Sequence, residues 1–208
     1  MTATNDDGGG PKPALPSRWQ VAIHEAAHAV YARSRARIVT RVSVEGIVAI
    51  ENGAERDGPF GRCRCDGEAE VAFDGLAGCV FSLVGPAAAF RADWPEPLLP
   101  YPEFVRDAEA RNPRSDAGRV IALLRSADDP EGLYEAARSE AEAFVEERWA
   151  DIVRLAERLM ESESLDEEAI ELVFDPTWPE FQKMLDELAD DRCPWFIAEQ
   201  EAEGEGDE

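Results

Sequence analysis

Apolar positions recur at helical spacing near the start of the chain, where Trp19, Ile23, Ala26, Ala27, Val30 and Tyr31 share one face. Ser17 and Gln20 stand three residues apart at the head of this run, a capping box that starts a helix. The period then changes. From Ile38 to Ile50 the chain is β-branched (Val42, Val44, Ile47, Val48), which predicts one or two strands. Residues 51–70 are rich in Gly, Asp and Arg and read as a long loop inserted in the domain. Leu76 to Phe90 is apolar on nearly every side, as in a buried helix. Trp94-Pro95-Glu96-Pro97 and Pro100 break that pattern, and a helix over about 103–110 follows. Pro113 and Ser115 open another, carrying Val120, Ile121, Leu123 and Leu124.

The longest periodic stretch spans about 131–161. Its apolar face is Leu133, Ala137, Ala141, Phe144, Val145, Trp149, Ile152, Leu155, Ala156 and Leu159. Ser164 or Asp166 caps a short helix to about Val173, and Pro179 opens a last one with Phe181, Met184, Leu185 and Leu188. The expected class is mostly α with a small β-sheet, an α+β fold. Residues 1–16, rich in Gly, Pro, Asp and Asn, read as a disordered arm. Residues 17–190 read as the folded domain and 191–208 as an acidic tail.

Charge narrows the choice of partners. The chain of 208 residues carries a formal net charge of −24. Nucleic acid phosphates demand a basic face, and anionic membranes repel such a chain, so neither is an expected partner. No apolar run approaches a spanning helix, and no secretory h-region precedes Ser17, so the expected location is cytoplasmic. The four cysteines, Cys63, Cys65, Cys79 and Cys193, are too few for a disulfide framework and read as free thiols. The arginines at 33, 35, 37 and 41 cluster against the global charge. They read as a solvated face, with docking of the acidic tail as the alternative.

The candidate chemistry is concentrated in five residues. Both histidines of the chain lie in His24-Glu25-Ala26-Ala27-His28, the H-E-x-x-H pattern of zinc peptidases. Chance would place two histidines so in on the order of one chain in a thousand of this size. On a helix, residues i and i+4 stand one above the other, with Cβ atoms roughly 6 Å apart, so both imidazoles can share one ion. Glu25 then lies beside the ion as a general base for a metal-activated water. A catalytic zinc site takes three protein ligands and keeps one position open. With no histidine left, the third ligand must be a carboxylate or a cysteine. Glu45, Glu51, Asp107, Glu109 and Asp116 are open on counting grounds, with Cys79 a weaker option.

Three segments resemble the peptidase domain of the FtsH-type membrane AAA zinc metalloproteases. Val21 to Val30 is similar to that family's His-Glu-Ala-Gly-His helix, with Ala27 in place of its glycine. Leu83-Val84-Gly85-Pro86-Ala87-Ala88-Ala89 resembles its Gly-Gly-Arg-Ala-Ala-Glu stretch. Ser115-Asp116-Ala117-Gly118-Arg119-Val120 resembles the segment that holds its third zinc ligand. The resemblance covers roughly residues 18–175. It implies a zincin-like helical domain, Zn²⁺ held by His24, His28 and Asp116, and Glu25 as the catalytic base. It also implies that the strand over Val42 to Ile50 lines the cleft and receives an extended substrate on its edge.

The family's motor is not found. A P-loop needs Gly-Lys before Ser or Thr, and the lysines here, Lys12 and Lys183, do not follow glycine. The expected activity is therefore a stand-alone zinc endopeptidase acting on peptides or unfolded proteins. A homo-oligomer or a separate unfoldase partner would widen its substrates. The alternative is a catalytically degenerate relative serving as a binding or regulatory module.

Overall fold

The computed structural model describes residues 17–51, 54–65, 73–93, 97–108 and 115–177; for 45–51 and 54–61 it describes the backbone. The elements in chain order are α1 (Arg18–Ser34), β1 (Val39–Glu51), β2 (Ala54–Cys65), α2 (Gly75–Arg91), α3 (Tyr101–Ala108), α4 (Asp116–Leu124), α5 (Pro130–Ser162), β3 (Ser164–Asp166) and α6 (Glu167–Phe174). The described chain is mostly helical with one antiparallel three-stranded sheet, as the periodicity predicts. It divides into two compact units, Met1–Ile170 and Glu171–Glu208. In the second, the described residues are 171–177, where Asp175 turns the chain by accepting from the Thr177 amide and hydroxyl. The arm over 1–16, the helix expected from Pro179 and the acidic tail lie outside the described residues.

Helix α1 starts where its capping box requires. Ser17 Oγ accepts from the Gln20 amide at 3.2 Å, and the Gln20 side chain accepts from the Ser17 amide at 2.8 Å. The helix is more deeply buried than its stripe suggests: Val21 to Ala32 are buried except His24, which is partly exposed. Helices α2 and α5 pack on it and on each other. Small side chains set the close approach, since Ala22, Ala26 and Ala27 of α1, Ala88 of α2 and Ala137 and Ala141 of α5 are fully buried. Tyr31 fills the centre, its ring 5.1 Å from that of Phe144 and 5.8 Å from that of Phe73. The buried helix expected from Leu76 to Phe90 is α2, although Leu76 and Phe90 at its ends are exposed.

The segment over 51–70, expected to be a loop, forms a strand over most of its length. Residues 54–65 pair with β1 from Glu51↔Ala54 to Val39↔Cys65. A hairpin partner needs its backbone groups far more than its side chains, so the Gly- and Arg-rich composition concealed it. The Asn52-Gly53 dipeptide was the available signal. The strand order is β2-β1-β3, with β3 pairing Arg41 to Asp166 and Ser43 to Ser164. Val42 and Ser43 are therefore flanked on both sides, and the β1 edge expected to receive substrate is closed there. The outer edge of the sheet next to α1 belongs to β2.

The turn from α5 into β3 depends on Glu163. Its backbone is left-handed (φ 59°), its amide donates to the Leu159 carbonyl, and its own carbonyl accepts from Val44 at 2.7 Å. Asp166, one of the two expected caps, accepts from the Ala169 amide and caps α6, while Ser164 belongs to β3. The arginine cluster is engaged and not merely solvated. Arg35 pairs with Glu140 at 2.6 Å, Arg37 lies over the Phe73 ring, and Arg41 donates to Ser164.

Candidate metal centre

The centre is assembled from three helices. Helix α1 supplies His24, Glu25 and His28 one turn apart. Helix α4 supplies Asp116 from its first turn, which Ser115 caps by accepting from the Gly118 amide at 3.2 Å. Helix α4 packs on α2, with the tip of Leu123 over Gly78, where a Cβ would meet the Phe73 carbonyl first and Leu123 Cδ1 at 2.8 Å. Helix α2 passes behind the imidazoles.

His24 Nε2 lies 3.0 Å from Asp116 Oδ2 and 3.1 Å from His28 Nε2, and His28 Nε2 lies 3.4 Å from the same carboxylate oxygen. Four ligands tetrahedral about zinc at 2.0–2.1 Å have edges of about 3.3 Å, so this triangle is the size of one tetrahedral face. His28 Nδ1 donates to the Phe81 carbonyl at 2.8 Å, which leaves Nε2 with its lone pair toward the other two groups. Gly85 supplies clearance. A Cβ at that position would lie 2.5 Å from His28 Nε2 and 2.7 Å from His24 Nε2. Two neutral nitrogens, one carboxylate and a cleared wall fit a divalent cation of the zinc class. Among the described residues, this is the one group of three or more His, Cys, Asp or Glu side chains able to hold a metal.

The electrostatics follow from burial. Burial works to raise the Asp116 carboxyl, but the imidazoles of His28 and His24 outweigh it and hold the group well below the usual carboxylate range. Glu25 is pushed up to about 7, first by burial and further by the charge of Asp116. His24, the Cys63 amide and Arg119 pull it back down. The Cys63 amide donates to this carboxylate, so β2 turns an N–H toward α1 at that position.

Of the residues expected at the site, His24, His28 and Asp116 are brought together, with Glu25 beside them on α1. The rival third ligands fall away or lie elsewhere. Cys79 is fully buried in α2 outside the group, and Asp107 of α3 is not part of it. Glu109 and the side chains of Glu45 and Glu51 lie outside the described residues. Cys63, Cys65 and Cys79 form no disulfide. Sequence reasoning missed three contributors: the Phe81 carbonyl, the Cys63 amide and the clearance at Gly85. Only Gly85 left a trace, as a glycine inside an apolar helix. No helix among the described residues is long and apolar enough to cross a membrane. No family model and no curated protein matches the chain.

Proposed function

We propose that this protein is a zinc-dependent endopeptidase acting on peptides or unfolded chains. The observation that carries the reading is the His24–His28–Asp116 triangle with Glu25 on the same helix. The motif resemblance to FtsH-type peptidase domains supports it. His24, His28 and Asp116 would hold the ion, leaving a fourth position for water or a substrate carbonyl. When bound, zinc supplies Lewis acidity, polarising the scissile carbonyl and easing deprotonation of water.

The chain's own residues supply the rest. Glu25 takes the proton of the attacking water and returns it to the departing amine nitrogen. The Cys63 amide fixes the carboxylate that does so, and burial keeps competing water away from it. Without the ion, the two imidazoles hold the Asp116 carboxyl below the usual carboxylate range, so it is ionised and ready to ligate. An extended substrate adds to the outer edge of β2, where main-chain hydrogen bonds give affinity without demanding a sequence.

Glu25→Gln tests the reading. It keeps the size of the side chain and the metal ligands. Cleavage of an unfolded casein-type substrate should fall at least about a hundredfold while zinc content stays at the wild-type level. Equal activity of both proteins would remove Glu25 from the chemistry. Silence of both, with zinc bound, would favour the binding-module alternative.

A further inference from the structure

Helix α2 carries a glycine and a proline side by side, Gly85 and Pro86, within an otherwise unbroken helix. They stand where the helix meets the imidazoles. Gly85 faces both rings. A Cβ there would lie 2.5 Å from His28 Nε2, 2.7 Å from His24 Nε2 and 2.8 Å from His24 Cε1. Ordinary carbon contacts begin at about 3.5 Å, so both rings would have to retreat by roughly 1 Å. Metal coordination tolerates only about 0.2 Å. His28 has little room to retreat, being buried and tied to the Phe81 carbonyl, four residues before Gly85 on α2, while His24 is held by its contacts with Asp116 and His28.

Pro86 acts on the same turn. It has no N–H for the Ser82 carbonyl, and its ring presses on that carbonyl. The Ser82 carbonyl, next to the carbonyl that receives His28 Nδ1, therefore lacks its helical donor. The Phe81 ring also lies against His28, with centroids 4.9 Å apart.

We propose that Gly85 and Pro86 are positioning residues of the metal centre. Gly85 keeps clear the space against both ligating nitrogens. Pro86 sets the turn whose Phe81 carbonyl holds His28 in the tautomer that ligates through Nε2. The inference rests on the metal-centre reading above.

Zinc affinity, measured by competition with a chromophoric chelator, tests it, with the melting temperature of the metal-free protein as the second readout. Gly85→Ala should weaken zinc binding by at least about a hundredfold, and Pro86→Ala by about tenfold, the range typical of groups that orient ligands. Metal-free Pro86→Ala should melt no lower than wild type, because a regular helical hydrogen bond is regained. Ala87→Gly is the control. It weakens the same helix without placing an atom against the imidazoles, and should lower the melting temperature while keeping wild-type affinity.

Wild-type affinity in both Gly85→Ala and Pro86→Ala overturns the proposal, as does an equal loss of affinity in Ala87→Gly. Should Gly85→Ala not fold, Pro86→Ala decides, and unchanged affinity there overturns the proposal. A wild-type protein that binds no zinc refutes the underlying metal-centre reading, which separates the two failures.

Discussion

Glu25 and Tyr134 show how single polar groups are accommodated in this core. Glu25 is 9% exposed, and burial alone would leave it protonated near neutral pH. A backbone amide from β2 and two nearby basic groups restore part of its acidity. Tyr134, fully buried on α5, donates its hydroxyl to the Leu99 carbonyl at 2.6 Å and stacks on Phe104 at 4.5 Å. Burial raises its pKa above the ordinary tyrosine value of about 10. A raised folded-state pKa gives stability that is fully present below the unfolded value and lost as pH rises beyond it. Urea midpoints should therefore fall above about pH 10 in wild type. Tyr134→Phe should lose about 0.5–1.5 kcal/mol at neutral pH and show a shallower alkaline decline. An equal alkaline slope in both proteins would contradict this. Tyr134 escaped the helical stripe read from the sequence because a tyrosine's burial depends on a carbonyl 35 residues away. The histidine pair was legible for the opposite reason: one helical turn fixes the spacing of His24 and His28 whatever packs around them.

Among the elements, helices were readable because a face must be apolar to be buried, and the faces of α1, α2, α4 and α5 declare themselves in that way. Strand β2 was not. Its residues pair through backbone with β1, and no alternation marks them. Asp116 lay between these cases. Its helix and cap were legible from Ser115, but its meeting with the histidines depends on how α4 packs on α2. The three-helix contact of α1, α2 and α5 is built on alanines, so it should resist enlargement. Ala141→Leu, at a fully buried position of α5, should cost about 1–3 kcal/mol by overpacking. Chemical denaturation measures it, and a neutral effect would show that α5 does not pack as tightly as its burial indicates.

For the whole molecule, the −24 charge and the metal centre pull on stability from opposite sides. Acidic self-repulsion weakens the compact state, and an ion held by His24 and His28 of α1 and Asp116 of α4 would tie two distant parts of the chain together. Free zinc at a hundredfold above its dissociation constant should add about 2.7 kcal/mol, a rise in melting temperature of roughly 5–10 °C. A strong chelator should reverse it, and a melting temperature indifferent to zinc would contradict the linkage. The most direct test of the central claim is zinc per chain, by elemental mass spectrometry, in wild type, His28→Ala and Asp116→Ala. Close to one ion is expected in wild type, with a sharp loss in both variants. A wild-type chain without zinc after supplementation, or variants that retain it, would rule out the His24–His28–Asp116 centre.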